Sequence, residues 1–240
     1  MRAEILYKID ALNDDLANEI RGSMDNGGLC ILPSDSSYIL TGNLYKRGVS
    51  RDIDTLLKRN GKNMSLAFGS INQASEDIRL SEKAVSFVKM LSSQGLTFVA
   101  LPRTRRDYQA FSRHYLYADG TVGIRLTRSS IEARIARFYP LPTTPIRDEC
   151  NNEVGTADHA VEIVRRRMTE SGINRPLSII DGGSVQFLGE LSTVVKEEQI
   201  DELSWRLLVL REKAIGYDEI SRVAKLCGYL EIIKKDSQSR

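Results

Sequence analysis

Short apolar runs alternate with amphipathic stretches along the chain, and the punctuation between them is glycine, proline and serine. Leu29-Cys30-Ile31-Leu32 is a continuous apolar run closed by Pro33. Proline has no backbone donor and no place in a central ladder, so the pattern predicts a buried strand that stops there. Upstream, Leu12, Leu16 and Ile20 share one face of a helix over 11–25 that ends at Gly27-Gly28. Downstream, residues 38–44 read as a second short strand. Ser50 is placed to cap a helix whose Ile53, Leu56 and Leu57 face inward and which ends in Lys58-Arg59-Asn60-Gly61.

The same alternation continues. Strands are expected over 65–70, over 96–101 up to Pro102, over 122–126, 177–180 and 192–195, and from Trp205 through Arg206–Arg211. Helices are expected over 81–91, from a Ser130 cap through Phe138, and over 158–170. A last helix over 217–235 reads as part of a terminal appendage, residues 217–240, beyond a main domain of residues 1–216. Residues 103–119 are aromatic and basic without a period, which predicts a surface excursion. Pro140, Pro142 and Pro145 predict a loop that runs on through Asn151-Asn152. Strands alternating with helices predict an α/β class: a twisted mixed sheet with helices packed on it.

Open sheets of this class bind ligands beyond the carboxyl ends of their strands. Pro33-Ser34-Asp35-Ser36-Ser37-Tyr38 therefore reads as a polar floor for a ligand, or else as an ordinary turn after a strand.

Composition narrows the function. The chain has 240 residues, 41% apolar and 28% charged, and a net charge of +2, too near neutral for a protein built wholly around nucleic acid. Its cations are clumped all the same, at Lys58, Arg59 and Lys62, at Arg103, Arg105 and Arg106, and at Arg165–Arg167. Such clumps suit phosphate or form solvated helix faces. Cys30, Cys150 and Cys227 have no close Cys or His partner, which argues against zinc and disulfides and fits a reducing cytoplasm. No basic-then-apolar leader and no long apolar window suggests secretion or a membrane span. There is no Walker loop and no Gly-x-Gly-x-x-Gly after the first strand, and His114 and His159 lack partners for a nucleophilic triad.

Taken in order, Gly27-Gly28, Pro33-Ser34-Asp35-Ser36-Ser37-Tyr38, Lys58 after a helix, Leu96-Thr97, Thr121-Val122-Gly123-Ile124-Arg125, Asp181-Gly182-Gly183, Ser192-Thr193-Val194-Val195 and Leu210-Arg211 resemble the YrdC/YciO family. The resemblance covers about residues 10–216. It implies a concave basic face and a threonylcarbamoyl-adenylate synthase: ATP, bicarbonate and L-threonine give threonylcarbamoyl-AMP and pyrophosphate for the t6A37 modification of tRNA. Magnesium would come with the nucleotide and no metal would be held by the protein. The resemblance assigns Lys58 and Arg125 to catalysis and Lys58, Thr121 and Arg211 to the nucleotide. Ser34, Ser36, Arg125 and Ser192 go to the amino acid, Arg125 as a planar clamp for its carboxylate. Read as residues, Lys58 also suits a helix C-terminus and Arg125 a structural pair with an acid.

The chain departs from the family pattern in several places. Its guanidinium at Arg59 stands one place early, Ser65-Leu66 stands for Pro-Leu, Ile39 replaces a glycine, Thr127 and Ser129-Ser130 stand where Pro and His-Pro would follow the arginine, and Thr144-Pro145-Ile146-Arg147 stands for Thr-Ser-Ala-Asn. These departures are similar to the YciO branch and imply, as the other reading, a non-catalytic protein that binds nucleotide, tRNA or double-stranded RNA.

Overall fold

The computed structural model of the chain describes residues 5–8, 13–35, 37–103, 114–185, 192–201 and 204–234. A strand not expected from the sequence, β1 (Ile5–Lys8), pairs in parallel with β8 (Leu177–Asp181). Between them in the chain, α1 (Asp14–Asp25) starts where the Asn13 side chain accepts the Leu16 amide at 2.9 Å and ends before Gly27 in the left-handed region at φ 84°. The helix buries Ala17, Ile20 and Met24. Next come β2 (Leu29–Pro33) and β3 (Tyr38–Gly42), an antiparallel pair in which every residue is buried. These strands form a four-stranded sheet in the order β1-β8-β2-β3.

Helix α2 (Val49–Leu56) begins at Gly48, not at a serine cap. Gly48 has φ 81°, a left-handed conformation that favours glycine, and a Cβ there would come within 2.9 Å of Arg175 Nη2 and displace it. Ser50 instead lies inside the helix and shares a 2.7 Å hydrogen bond with the Tyr115 hydroxyl. After the helix, β4 (Ser65–Phe68) leads to α3 (Ile71–Asp77), which Ser70 caps by accepting the Gln73 amide; this short helix was not expected. Helix α4 (Glu82–Leu91) is capped by Ser81, and β5 (Leu96–Ala100) and β6 (Val122–Leu126) run antiparallel as neighbours. Helix α5 (Ser130–Ala136) takes Ser129 as its cap, one residue before the expected Ser130.

The proline-rich segment is not all loop. β7 (Leu141–Thr143) pairs with β4, with Pro142 opposite Leu66 at the edge of the sheet, the one position in a ladder that tolerates a missing donor. The remaining elements are α6 (Ala157–Ser171), β9 (Thr193–Gln199), β10 (Trp205–Arg211), α7 (Tyr217–Leu226) and β11 (Glu231–Lys234). The helix expected through Lys235 therefore stops at Leu226. β11 pairs in parallel with β10, and Ile220, Val223 and Ala224 of α7 join the main core behind the sheet.

The second sheet has seven strands in the order β11-β10-β9-β5-β6-β4-β7. The two sheets are joined where the chain leaves β7: Pro145 bridges Ile39, and the Ile146 amide donates to the Tyr38 carbonyl at 2.9 Å. A main core packs α2, α4, α6 and α7 onto the strands, and a smaller one holds α1 and α5. The junction of the sheets stays open, and its walls carry the polar residues that follow.

Candidate functional site

At that junction lies a hollow of about 310 Å³. Ser34 and Ser37 enter from the β2–β3 turn, Ser65 from β4, Thr97 from β5, Arg125 from β6, and Ser192, Val194 and Arg211 from β9 and its neighbours. Arg59, Asn63, Tyr117, Arg147 and Glu153 complete the wall. Of the residues singled out from the sequence, Ser34, Arg125, Ser192 and Arg211 meet in this one space. Ser36 lies outside the described residues, as do residues 104–113 of the expected surface excursion.

Lys58 and Thr121 do not line the hollow. Lys58 is exposed and sits in the left-handed region at φ 50°, followed by Asn60 at φ 54° and Gly61 at φ 77°. Two non-glycine residues with positive φ make a tight, unusual turn. The turn fixes Arg59, which donates to the Lys62 carbonyl at 3.2 Å and the Asn63 carbonyl at 2.7 Å. Arg59, and not its neighbour Lys58, lines the hollow at this wall. Its partial burial lowers the guanidinium pKa, against the attraction of Asp54.

Thr121 is buried and gives its hydroxyl to Asp119 at 2.6 Å. It lines an adjoining cleft of about 590 Å³ with Val99, Leu208, Leu210, Tyr117 and Arg211, the last two shared with the hollow. Burial acts to raise the Asp119 pKa, but hydrogen bonds from Lys196 at 2.9 Å and from Thr121 prevail and hold the carboxyl down to about 2. A depressed carboxyl stabilises the fold above its unfolded pKa and loses that contribution as pH falls through its folded one. Acid titrations of stability in the wild type and in Asp119→Asn are therefore expected to lie furthest apart above about pH 4 and to converge near about pH 2.

Arg211 is exposed at the rim and reaches back over β9. Its Nε and Nη2 donate to the Ser192 carbonyl at 3.0 and 2.8 Å, and the Ser192 hydroxyl in turn shares a 2.8 Å bond with Thr97. Neither Arg59 nor Arg211 forms an ion pair with a described carboxylate. Tyr117 lies between them in charge, since both cations lower its pKa while burial, the stronger influence, raises it.

The opposite end of the hollow is built differently. Arg125 Nη1 donates to Asp35 at 3.0 Å, and Nη2 donates to Ser34 Oγ at 2.7 Å and to the two oxygens of Glu132 at 2.7 and 2.8 Å. Glu132 is fully buried on α5 and also accepts from Ser34 at 2.9 Å and Thr127 at 2.6 Å. Asp35 accepts the Ser129 amide at 2.7 Å and lies 3.7 Å from Arg128. The structural pairing of Arg125 with an acid, one of its two sequence readings, is what the structure contains. Arg147 is likewise paired, with Glu153. Among the described residues no group of three or more His, Cys, Asp or Glu side chains could hold a metal ion. No helix among them is long and apolar enough to cross a membrane.

The mixed α/β fold that surrounds this hollow is shared with solved structures of Sua5 and YciO. A P. abyssi Sua5 variant with two alanine substitutions matches with a TM-score of 0.71 at 19% identity, over 96% of this chain and 62% of that one. P. abyssi Sua5 complexed with L-threonine gives 0.68 at 18% identity over the same shares. E. coli YciO gives 0.68 at 18% identity, over 92% of this chain and 99% of that one. The chain thus spans about 62% of the length of P. abyssi Sua5. No curated protein matches it. The chain belongs to the Sua5/YciO/YrdC family, whose model, described as telomere recombination, matches residues 23–233.

Proposed function

We propose that the hollow binds ATP and that the chain uses it to make an adenylate of the threonylcarbamoyl-AMP type. In that reaction an amine takes up bicarbonate-derived carbon dioxide as a carbamate, the carbamate oxygen attacks the α-phosphorus, and pyrophosphate leaves. L-threonine or a close small-amine variant is the second substrate, and tRNA is the destination of the product. The observation that supports this reading is the pair of guanidinium groups, Arg59 and Arg211, that face one hollow without carboxylate partners among the described residues. Cations without a direct ion pair beside a cavity suit the negative charge that builds on phosphate oxygens as pyrophosphate departs. Magnesium enters this reading with the nucleotide, on its phosphates. The likeness to a Sua5 complexed with L-threonine supports an amine subsite next to it. The three free cysteines suit a cytoplasmic setting.

One observation favours a second reading, a YciO-like protein that binds nucleotide or RNA without turnover: Arg125, the clamp expected for the substrate carboxylate, is already held by Asp35 and Glu132. Incubation with ATP, labelled bicarbonate and a panel of small amines that includes L-threonine separates the two. Pyrophosphate release with a labelled adenylate is the expected result. Saturable ATP binding with no pyrophosphate above background for any amine would replace the first reading by the second.

A further inference from the structure

The floor of the hollow has a notch at Gly123 of β6. A Cβ there would stand 2.9 Å from Ser65 Oγ, 3.2 Å from Thr97 Cγ2 and 3.3 Å from the Tyr117 hydroxyl, so three side chains that line the hollow converge on the space the glycine leaves. Gly123 is not among the residues at positive φ, so the backbone does not demand a glycine there. A glycine inside a strand marks a place where something must approach closely.

Tyr117 is fixed over this notch by a hairpin turn. Its amide donates to the Thr121 carbonyl at 2.8 Å, its carbonyl accepts the Gly120 amide at 2.9 Å, and Gly120 takes the left-handed φ of 77° that such a turn uses. Neither the Tyr117 nor the Ser65 hydroxyl has a hydrogen-bond partner among the described residues, and both side chains are half-buried, unlike Ser37, whose hydroxyl is sealed from the cavity. The notch lies between the two ends of the hollow. Arg125 is two residues further along β6, on the same face and about 7 Å away. In the other direction Thr97 Oγ1 shares a 2.8 Å bond with Ser192 Oγ, and the Ser192 carbonyl accepts from Arg211 at 2.8 Å.

Resting on the adenylate-forming reading, we infer that the Gly123 notch seats the carbon dioxide-derived group, with Ser65 and Tyr117 donating to the carbamate oxygen that does not attack. Bicarbonate supplies carbon dioxide and hydroxide. The amine nitrogen bonds the carbon and sheds a proton, which turns the hydroxide to water. One carbamate oxygen then bonds the α-phosphorus, and pyrophosphate leaves with the electron pair of the broken P–O bond. The other oxygen ends as a neutral carbonyl, so charge drains from it towards the phosphates. Neutral hydroxyls hold such an oxygen without the grip on the charged ground state that a cation would exert. Ser65 stands where the family pattern has a proline, so this donor belongs to this chain.

Initial rates of pyrophosphate release by the full chain, with bicarbonate, L-threonine and ATP varied in turn, test this. Tyr117→Phe and Ser65→Ala each delete one hydroxyl and are expected to raise the KM for bicarbonate about three- to tenfold, the scale of one neutral hydrogen bond. Gly123→Ala fills the notch and is expected to raise it further. The affinity of a non-hydrolysable ATP analogue, read by titration, is expected to stay within about twofold of the wild type's in all three, the scale of no lost contact. A bicarbonate KM unchanged in both hydroxyl variants, or a larger rise for L-threonine or ATP than for bicarbonate, overturns this inference and leaves the adenylate-forming reading standing. No pyrophosphate from the wild type overturns that reading, and this inference falls with it.

Discussion

Arg59→Ala and Arg211→Ala are each expected to weaken ATP binding by about 1.5–3 kcal/mol, roughly ten- to a hundredfold, the usual scale of a hydrogen bond to a charged group. The loss follows from position. Both guanidinium groups already commit donors to backbone carbonyls, of Lys62, Asn63 and Ser192, so each is held in place without a direct ion pair, though Asp54 attracts Arg59 from a distance. A ligand phosphate meets a cation that is preorganised and needs no partner removed. AMP, with fewer charges to place, is expected to lose less than ATP in the same variants. Lys58→Ala supplies the comparison, because the Lys58 side chain is exposed and outside the hollow. Its expected loss is smaller than either. Equal losses in all three variants, read by equilibrium titration, would mean a diffuse field and not a seat for phosphate.

Arg125→Ala is expected to cost stability more than affinity, by about 3–5 kcal/mol, because it leaves Glu132 buried without a counter-charge. Ser34 and Thr127 would still donate to that carboxylate, but neither carries charge. Replacing both partners, as Arg125→Met with Glu132→Leu, is expected to recover most of the loss, since no buried charge then remains. Urea unfolding of the three proteins decides it. A single variant as stable as the wild type would show that the pair contributes nothing to the fold and that Arg125 is free to serve a ligand.

The sequence was most legible where one local rule had no competitor. Apolar runs such as Leu29–Leu32 became strands, and Gly27 closed its helix at positive φ. Errors arose where two rules met. Three prolines mark a loop in sequence, yet Pro142 sits in β7, at the edge of its sheet, where a missing donor is tolerated. Ser50 has the chemistry of a cap, but the demand for positive φ at Gly48 set the helix start two residues earlier. β11 is a short strand with exposed ends, and only its pairing with β10 distinguishes it from the end of a helix.

The site divides in the same way. Ser34, Arg125, Ser192 and Arg211 could be named from order along the chain, and the fold brings them together. Tyr117 was hidden in an aperiodic segment, and Glu132 looked like one acid in the first turn of a helix. Only the packing of α5 beneath the β2–β3 turn shows it in contact with Ser34. Arg59 was visible as a guanidinium out of place, but the turn that swings it into the hollow depends on left-handed backbone at Lys58 and Asn60, which composition does not announce.

Whether a triphosphate rests between Arg59 and Arg211, in the hollow at the sheet junction, is tested most directly by determining the structure with a non-hydrolysable ATP analogue. Phosphate oxygens within hydrogen-bond distance of both guanidinium groups are the predicted result; an analogue bound elsewhere on the surface, with both arginines still turned to their carbonyls, would contradict it.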